Sequence, residues 1–115
     1  MSKENSVLSG NTAMLVLKLL DDKDMYGYQI IEDLAKKSEN VFQLKTGTLY
    51  PLLHGLENDG AVESYEENAG NLRIRRYYSL TKNGKALLAK KQAEWAEYSK
   101  AVSFVMEEGG SYAFA

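Results

Sequence analysis

Cysteine is absent from the 115 residues, and proline, histidine and tryptophan occur once each. The absence of cysteine excludes disulfides and thiolate metal sites, and it fits a protein of the reducing cytoplasm. No apolar run approaches the roughly 20 residues that a membrane helix needs, and no charged-then-apolar leader opens the chain. We therefore expect a soluble, cytoplasmic protein without a membrane span or a metal site.

Motifs of enzyme chemistry are missing as well. The sequence has no HExxH, no phosphate-cradling glycine loop and no serine elbow, and His54 is its only histidine. A lone histidine on the outer face of a helix is far more often a surface or DNA-contacting residue than a catalyst. We expect no catalytic residue and no cofactor, and hence a protein that is not an enzyme.

What the chain does have is enough apolar sequence (44%) for one domain with a real core. Its net charge of −2 and its pI near 5.4 speak against nucleic-acid binding, because such domains are usually basic. A local basic cluster that faces phosphate matters more than the global sum, so DNA binding is not excluded.

Apolar residues at helical spacing predict two helices in the first third of the chain. The first covers residues 11 to 20, with Asn11 as N-cap, and the second covers YGYQIIEDLAKK, with Asp24 as cap. Their core positions are Leu15, Val16, Leu19 and Leu20 in the first, and Gly27, Ile30, Ile31 and Leu34 in the second.

A third helix carries the only proline. Leucines at 49, 52, 53 and 56 define its core face, and Thr46 is a good cap near its start. Pro51 then falls just past the first turn, where proline costs least because few backbone bonds exist to lose. The opposite side is small, polar and nearly uncharged: Gly47, Thr48, Tyr50, Pro51, His54, Gly55 and Asn58. This outer face is either built to approach another molecule closely or is a neutral surface.

Two strands follow the Asp59–Gly60 helix stop, over residues 61 to 66 and 72 to 80, joined by an Asn-Ala-Gly-Asn loop. The second strand carries Arg73, Arg75 and Arg76. Three helices followed by such a hairpin predict a winged helix–turn–helix, a mainly α fold with a small β-hairpin. In this fold the second helix supports the third, the third helix enters the major groove, and the wing contacts the DNA backbone or the minor groove.

Charge tempers this prediction. Residues 45 to 76 hold four basic side chains, Lys45 and the three arginines, against five acidic ones. The basic residues cluster at the helix entrance and on the wing, where phosphates would lie. The acids are placed at the far end of the helix and on the other strand.

A fourth helix is predicted from residue 82 to 108, with Thr81 as cap and a stop at Gly109–Gly110. About 27 residues at 1.5 Å each give a rod of about 40 Å, longer than a small winged domain can cover. Its uncovered apolar stripe predicts an isologous homodimer, in which two recognition helices face successive major grooves. The expected dimer residues are Leu88, Trp95, Tyr98, Val102 and Val105. We expect a DNA-binding domain over residues 1–80, a dimerisation helix over 81–108 and a flexible tail over 109–115.

Three segments, YGYQIIEDL, LKTGTLYPLLHGLENDGAV and RRYYSLTKNGKALL, resemble successive signatures of the PadR family of bacterial transcriptional repressors. The resemblance runs from about Leu15 to Leu88. The short C-terminal region, with its single long helix, resembles that of the small subgroup that includes multidrug-sensing repressors. The resemblance implies a homodimer that binds palindromic operator DNA and is released or modulated by a ligand. Gly55 departs from the family, which commonly has a basic residue there, and so removes a phosphate or base contact.

These arguments together give candidate residues for each role. Trp95 is either an ordinary dimer-core aromatic or, as in the multidrug subgroup, a stacking plate for a planar aromatic or hydrophobic effector, with Thr12 and Leu15 as neighbouring walls. The alternative function is a winged-helix module that binds protein instead of DNA. The candidate DNA contacts are Lys45, Thr46, Thr48, Tyr50, His54, Asn58, Arg73, Arg75 and Arg76.

Overall fold

The computed structural model describes residues 11 to 111, with side chains up to residue 107. Its elements are α1 (Thr12–Asp22), β1 (Met25–Tyr26), α2 (Gly27–Lys37), α3 (Thr46–Asn58), β2 (Val62–Asn68), β3 (Ile74–Leu80) and α4 (Lys82–Ser111). This order confirms the predicted winged helix–turn–helix with a long C-terminal helix. The helix continues past the Gly109–Gly110 pair, so the predicted stop there is wrong. Residues 1–10, and residues 112–115 of the predicted tail, lie outside the described part.

The sheet has three antiparallel strands in the order β1-β3-β2. The predicted hairpin pairs Val62 with Leu80 at its base and Asn68 with Ile74 next to the connecting loop. The third strand, β1, pairs Met25 with Tyr78 and Tyr26 with Tyr77. Two residues are too few for a strand pattern, so the sequence did not predict β1.

Strand β1 also moves the start of α2. Because residues 25 and 26 are extended and paired to β3, the helix begins at Gly27 with Tyr26 as N-cap, and the prediction of Asp24 as cap is wrong. The Tyr26 N–H donates to Gln29 Oε1 at 3.1 Å. In α3 the capping residue is Lys45 and not Thr46, while Asn11 is at the predicted position but makes no side-chain cap bond.

The core lies between α1 and the elements around it, and the predicted helix faces line it. Leu49 and Leu53 of α3 are fully buried, and Leu56 is nearly so. Leu17 of α1, outside the predicted face, is buried too, because α1 packs against α2, α4 and β3 on several sides. The predicted apolar faces are therefore confirmed, with α1 more enclosed than its pattern indicated.

Helix α4 is anchored at its first turns. The Gly84 N–H donates to Thr81 Oγ1 at 2.9 Å, and that hydroxyl donates to the Gly60 carbonyl at 2.6 Å, so the predicted Thr81 cap is confirmed. Gly84 is buried against the backbone of Ala61, and Leu88 is buried in the chain's own core.

Beyond this anchor α4 leaves the body of the chain. Every residue from Gln92 to Glu107 except Ser99 is exposed, and the principal extents are 66 × 27 × 25 Å. None of the helices within residues 11–111 carries an apolar stretch long enough to span a membrane.

Candidate nucleic-acid interface

The outer face of α3 lies at the surface. Its seven residues, named above, are all exposed, and so are the candidate contacts Lys45 and Thr46 at the helix entrance. A Cβ placed on Gly47 or Gly55 would meet no atom within 4 Å. Pro51 lacks an N–H, so the carbonyl of Gly47 loses its intrahelical donor on this exposed side, where water can replace it. The face is therefore open, polar and free of carboxylates.

Beside this face, a cleft of about 450 Å³ separates the start of α2 from β3. It brings Tyr50, from the outer face of α3, together with the three arginines that the sequence singled out. It adds residues that the sequence did not predict, and its lining is Tyr26, Gly27, Tyr28, Glu32, Tyr50, Arg73, Ile74, Arg75 and Arg76. We refer to it as the α2–wing cleft, the wing being β2, β3 and the loop between them.

Tyr50 is positioned by the first turn of α2. A Cβ on Gly27 would overlap the Tyr50 hydroxyl, so the ring occupies space that only glycine leaves open. Tyr28, in the same turn, is 64% exposed and presents its phenol at the rim of the cleft. The YGY motif therefore places two aromatic side chains and a gap for a third at one helix N-terminus.

Arg75 belongs to an aromatic cluster on the outer side of the sheet. Its guanidinium lies 4.3 Å above the centre of the Tyr26 ring, a cation–π arrangement. Tyr26 meets Tyr77 edge to face at 5.4 Å, and Tyr77 stacks on Tyr65 at 5.7 Å. The pattern of strand alternation could have placed Tyr65 and Tyr77 on one face, but Tyr26 required β1.

Two tyrosines of the sheet have raised pKa values. The hydrogen bond from the Tyr65 hydroxyl to Asp24 Oδ2, at 2.7 Å, raises the pKa of Tyr65 to about 12, with smaller contributions from desolvation and nearby negative charge. Burial raises the pKa of Tyr78, whose ring is at the centre of the core. Both phenols are neutral at physiological pH and hold their positions as uncharged groups.

Arg76 is engaged within the fold. Its Nη1 donates to Ser64 Oγ at 2.7 Å, Ser64 Oγ donates to Glu57 Oε2 at 2.7 Å, and the Arg76–Glu66 ion pair measures 3.6 Å. This chain of contacts ties β3 through β2 to the last turn of α3. Arg73, in the loop that connects β2 and β3, is exposed. The three arginines therefore differ: one is stacked, one is bridged and one projects.

The exposed part of α4 carries an apolar stripe, which we define as Trp95, Tyr98, Val102, Val105 and Met106. Their exposures range from 39% to 71%, and at about 100° per residue they fall within about 100° of arc. Four of the five were predicted as dimer residues, and the Trp95 and Tyr98 rings lie 5.9 Å apart. Leu88, the fifth predicted residue, is only 4% exposed and offers little surface to a partner.

The predicted walls of an effector site are on α1. Thr12 is buried, at 6% exposure, and Leu15 is half-buried. The effector role of these residues and of Trp95 stays a prediction. Among the described residues, no group of three or more His, Asp or Glu side chains is placed to hold a metal ion.

Known proteins with similar sequences and structures point to one family. The chain is 33% identical over 103 residues to an uncharacterized protein of Lysinibacillus sphaericus, covering 90% of this chain and 94% of that one. It is 32% identical to a transcriptional regulator of Mycobacterium tuberculosis, over 70% of this chain and 72% of the relative.

Solved structures agree. A transcriptional regulator from Clostridium thermocellum matches with a TM-score of 0.79 and 30% identity, over 85% of this chain and 95% of that chain. A PadR family transcriptional regulator from Eggerthella lenta matches with a TM-score of 0.78 and 31% identity, over 89% and 87%. The model of the transcriptional regulator PadR-like family matches residues 16–90. The chain therefore belongs to the PadR-like family of transcriptional regulators, and it is a regulator and not an enzyme.

Proposed function

We propose that this regulator is a homodimeric repressor that binds a palindromic operator through α3 and the wing and responds to a small ligand. The observation that carries the DNA-binding part is the outer face of α3, which is exposed, polar and free of carboxylates beside a cleft that holds three arginines. A surface without acids can approach the phosphate backbone although the whole chain is acidic.

The side chains of this surface fit distinct contacts to duplex DNA. Thr48, His54 and Asn58 offer hydroxyl, imidazole and amide groups that can hydrogen-bond to base edges in the major groove. Lys45, Thr46 and Arg73 lie at the two ends of the surface and suit phosphate contacts, which position a protein without specifying sequence. Arg75, stacked on Tyr26, would also reach phosphate, while the contacts of Arg76 to Ser64 and Glu66 would hold the wing in place.

The apolar stripe of α4 supports the homodimer. Five large side chains on one side of a projecting helix form a surface that a soluble protein normally covers. Pairing with the same stripe of a second copy would bury it with two-fold symmetry, and the two α3 helices could then face half-sites one helical turn apart.

The Trp95–Tyr98 pair supports the ligand response. The two rings are adjacent, and both are about half exposed. Near the centre of a dimer they would form an aromatic wall against which a planar apolar molecule can stack. Such a ligand regulates only if it binds the DNA-competent and incompetent shapes of the dimer with different affinity.

Salt-dependent binding tests the DNA function and separates it from the alternative of a protein-binding module. A duplex is first selected by the protein from a random pool, and its affinity is then measured at several salt concentrations. Phosphate neutralisation should give a steep slope of log affinity against log salt. The double change Arg73→Ala and Arg75→Ala should lower that slope by about 2 per protomer, and so by about 4 for the dimer.

Lys100→Ala is the matched control, because it removes a basic residue of α4 that lies near Phe104, on the side of the helix opposite Trp95. It should leave the slope unchanged. Failure to select any duplex, or a slope near zero, would favour the protein-binding module.

A further inference from the structure

The end of the wing carries an apolar side chain with no contact of its own. Leu72 is 100% exposed, and Ile74 beside it is 65% exposed. Leu72 also has a φ of +61° and Asn71 a φ of +48°, the left-handed region that a branched apolar residue rarely adopts. Glycine would serve this turn better on both counts, so neither packing nor backbone geometry explains the leucine. Exposure and strain at one position indicate a role outside the free chain.

The charges around Leu72 indicate which partner the position fits. We define the wing tip as residues 68 to 74, Asn-Ala-Gly-Asn-Leu-Arg-Ile, which contains one basic residue and no acidic one. The nearest acids of β2 face arginines: Glu66 is paired with Arg76, and Glu67 lies opposite Arg75. A protein partner with a basic docking surface would meet Glu66 already paired with Arg76 and Glu67 beside the charge of Arg75. A polyanion would meet the Arg73 side chain next to Leu72.

The wing tip is also continuous with the proposed DNA surface. Ile74 lines both the α2–wing cleft and a shallow depression at the end of the hairpin, which Leu72 shares with Glu66, Glu67 and Asn68. A duplex that lies against α3 and Arg73 would therefore continue towards Leu72. Winged domains place this end of the hairpin near the minor groove, whose floor accepts apolar wedges between base steps.

We propose that Leu72 is an apolar wedge that enters the minor groove of the bound duplex and partly unstacks one base step. This inference rests on the proposed DNA binding and adds a contact that carries no charge. It assigns different roles to neighbouring residues, because Arg73 attracts phosphate while Leu72 is buried by the bases. The strained turn is what directs the leucine away from the sheet.

The test compares Leu72→Gly with Arg73→Ala on the duplex selected from the random pool. Leu72→Gly keeps the backbone conformation, since glycine adopts positive φ freely, and removes only the side chain. We expect its affinity to fall about ten- to a hundredfold for each half-site, the range for one leucine side chain that is buried on binding. Its salt slope should equal that of the unmutated protein. Arg73→Ala should instead lower the slope by about 1 per protomer, and so by about 2 for the dimer.

A second measurement locates the wedge. A series of duplexes is made, each with 2-aminopurine at a different base step under the wing, because its fluorescence rises when the base is unstacked. With the unmutated protein the fluorescence should rise at one step, and with Leu72→Gly it should rise at none. Leu72→Met, which keeps an apolar side chain of similar volume, should restore most of the signal and the affinity.

Several results would overturn the wedge and leave DNA binding intact. They are an unchanged affinity of Leu72→Gly, a salt slope that falls as in Arg73→Ala, or the absence of any bright step. If the unmutated protein selects no duplex at all, the proposed function fails first and the wedge fails with it.

Discussion

At the scale of single residues, the contact between Gly27 and Tyr50 joins the two helices of the helix–turn–helix. The tyrosine ring fills the space above the first turn of α2, and its hydroxyl lies where a Cβ would be. The obstructing atom is the far end of an exposed side chain, which can swing away, and not a backbone atom. The glycine therefore sets the position of a candidate DNA contact more than it sets stability.

Gly27→Ala should consequently weaken DNA binding and leave the fold almost unchanged. Alanine is a better helix residue than glycine by up to about 1 kcal/mol, which offsets the cost of moving the ring. We expect a midpoint of thermal unfolding within a few degrees of the original and a loss of affinity similar to that of Tyr50→Ala. The double variant Gly27→Ala with Tyr50→Ala should lose no more DNA affinity than either single variant, because both changes remove the same contact. Additive losses would show that Gly27 acts independently of Tyr50.

Tyr65 gives a second residue-scale prediction, which concerns pH. Its pKa is about 12 in the folded chain, against an ordinary value of 10.0, because its hydroxyl donates to Asp24. The fold therefore favours the neutral phenol. The associated stabilisation is complete below pH 10 and is lost as the pH rises through 12.

An NMR titration of the tyrosine ring carbons would measure this, with Tyr65→Phe used to assign the signal among eight tyrosines. Asp24→Ala should return the pKa of Tyr65 towards 10. A pKa of Tyr65 that does not respond to the loss of Asp24 would mean that the hydrogen bond is not its cause.

At the scale of elements, the helices could be predicted from periodicity and the sheet only in part. The leucine spacing of α3 and the Thr81 cap of α4 depend on nearby residues alone, so the sequence contains the whole signal. Strand β1 depends on pairing with Tyr77 and Tyr78, about 50 positions away, and two residues show no pattern. Because β1 was not predicted, the cap predicted for α2 was wrong, and the stacking of Arg75 on Tyr26 could not be foreseen. The clustering of arginines on the wing was predictable, but their different partners were not.

The anchoring of α4 depends on one buried glycine. A Cβ on Gly84 would overlap the carbonyl oxygen of Ala61 and crowd the Leu80 side chain, and a backbone atom cannot swing away. Gly84→Ala should therefore destabilise the fold by about 1–3 kcal/mol, as other overpacked substitutions do. Chemical denaturation measures this free energy of unfolding directly.

Gly55→Ala is the matched control, since both glycines are helical but the Cβ at 55 would enter open space. That variant should be more stable by up to about 1 kcal/mol. Equal effects at the two positions would mean that α4 is not held against Ala61.

At the scale of the whole molecule, the shape of the chain supports the proposed homodimer and the distribution of its charge supports the proposed DNA binding. A long helix projects from the body with its apolar stripe uncovered, while the acidic average hides a surface of α3 without carboxylates. The composition gives only the net charge of the whole chain, and that charge argued against DNA binding. The distribution of charge over the fold supports the opposite inference.

Val105→Glu should convert the proposed dimer to a monomer. A carboxylate on the apolar stripe would be buried without a partner, which is strongly unfavourable. Phe104→Glu is the matched control, because Phe104, at 61% exposure, is nearly as exposed as Tyr98 and Val105 but lies on the side of α4 opposite Trp95. Sedimentation at several concentrations should give monomers for Val105→Glu and dimers for Phe104→Glu. Dimers in both would place the interface elsewhere.

Trp95 allows a separate test of the ligand. It is the only tryptophan, so its fluorescence reports on this part of α4 alone. A planar aromatic dye should quench it, and Trp95→Ala should lower dye affinity while keeping operator binding. If Trp95 only packs the dimer, the same change should cost several kcal/mol, weaken dimerisation, and the unmutated protein should bind no dye.

The contacts from Arg76 through Ser64 to Glu57 have a mechanical consequence. They brace the hairpin against the end of α3. The outer face of α3 and the wing would therefore move together as one rigid unit. In the proposed homodimer, helix α4, which is fixed at Gly84, would act as a lever arm between that unit and a dimer interface at the apolar stripe. A tilt of a few degrees at this interface would displace each DNA-binding surface by a distance comparable to the 3.4 Å rise of one base step. A ligand bound between the two α4 helices could therefore shift both DNA-binding surfaces out of register with their half-sites at once, without touching either surface.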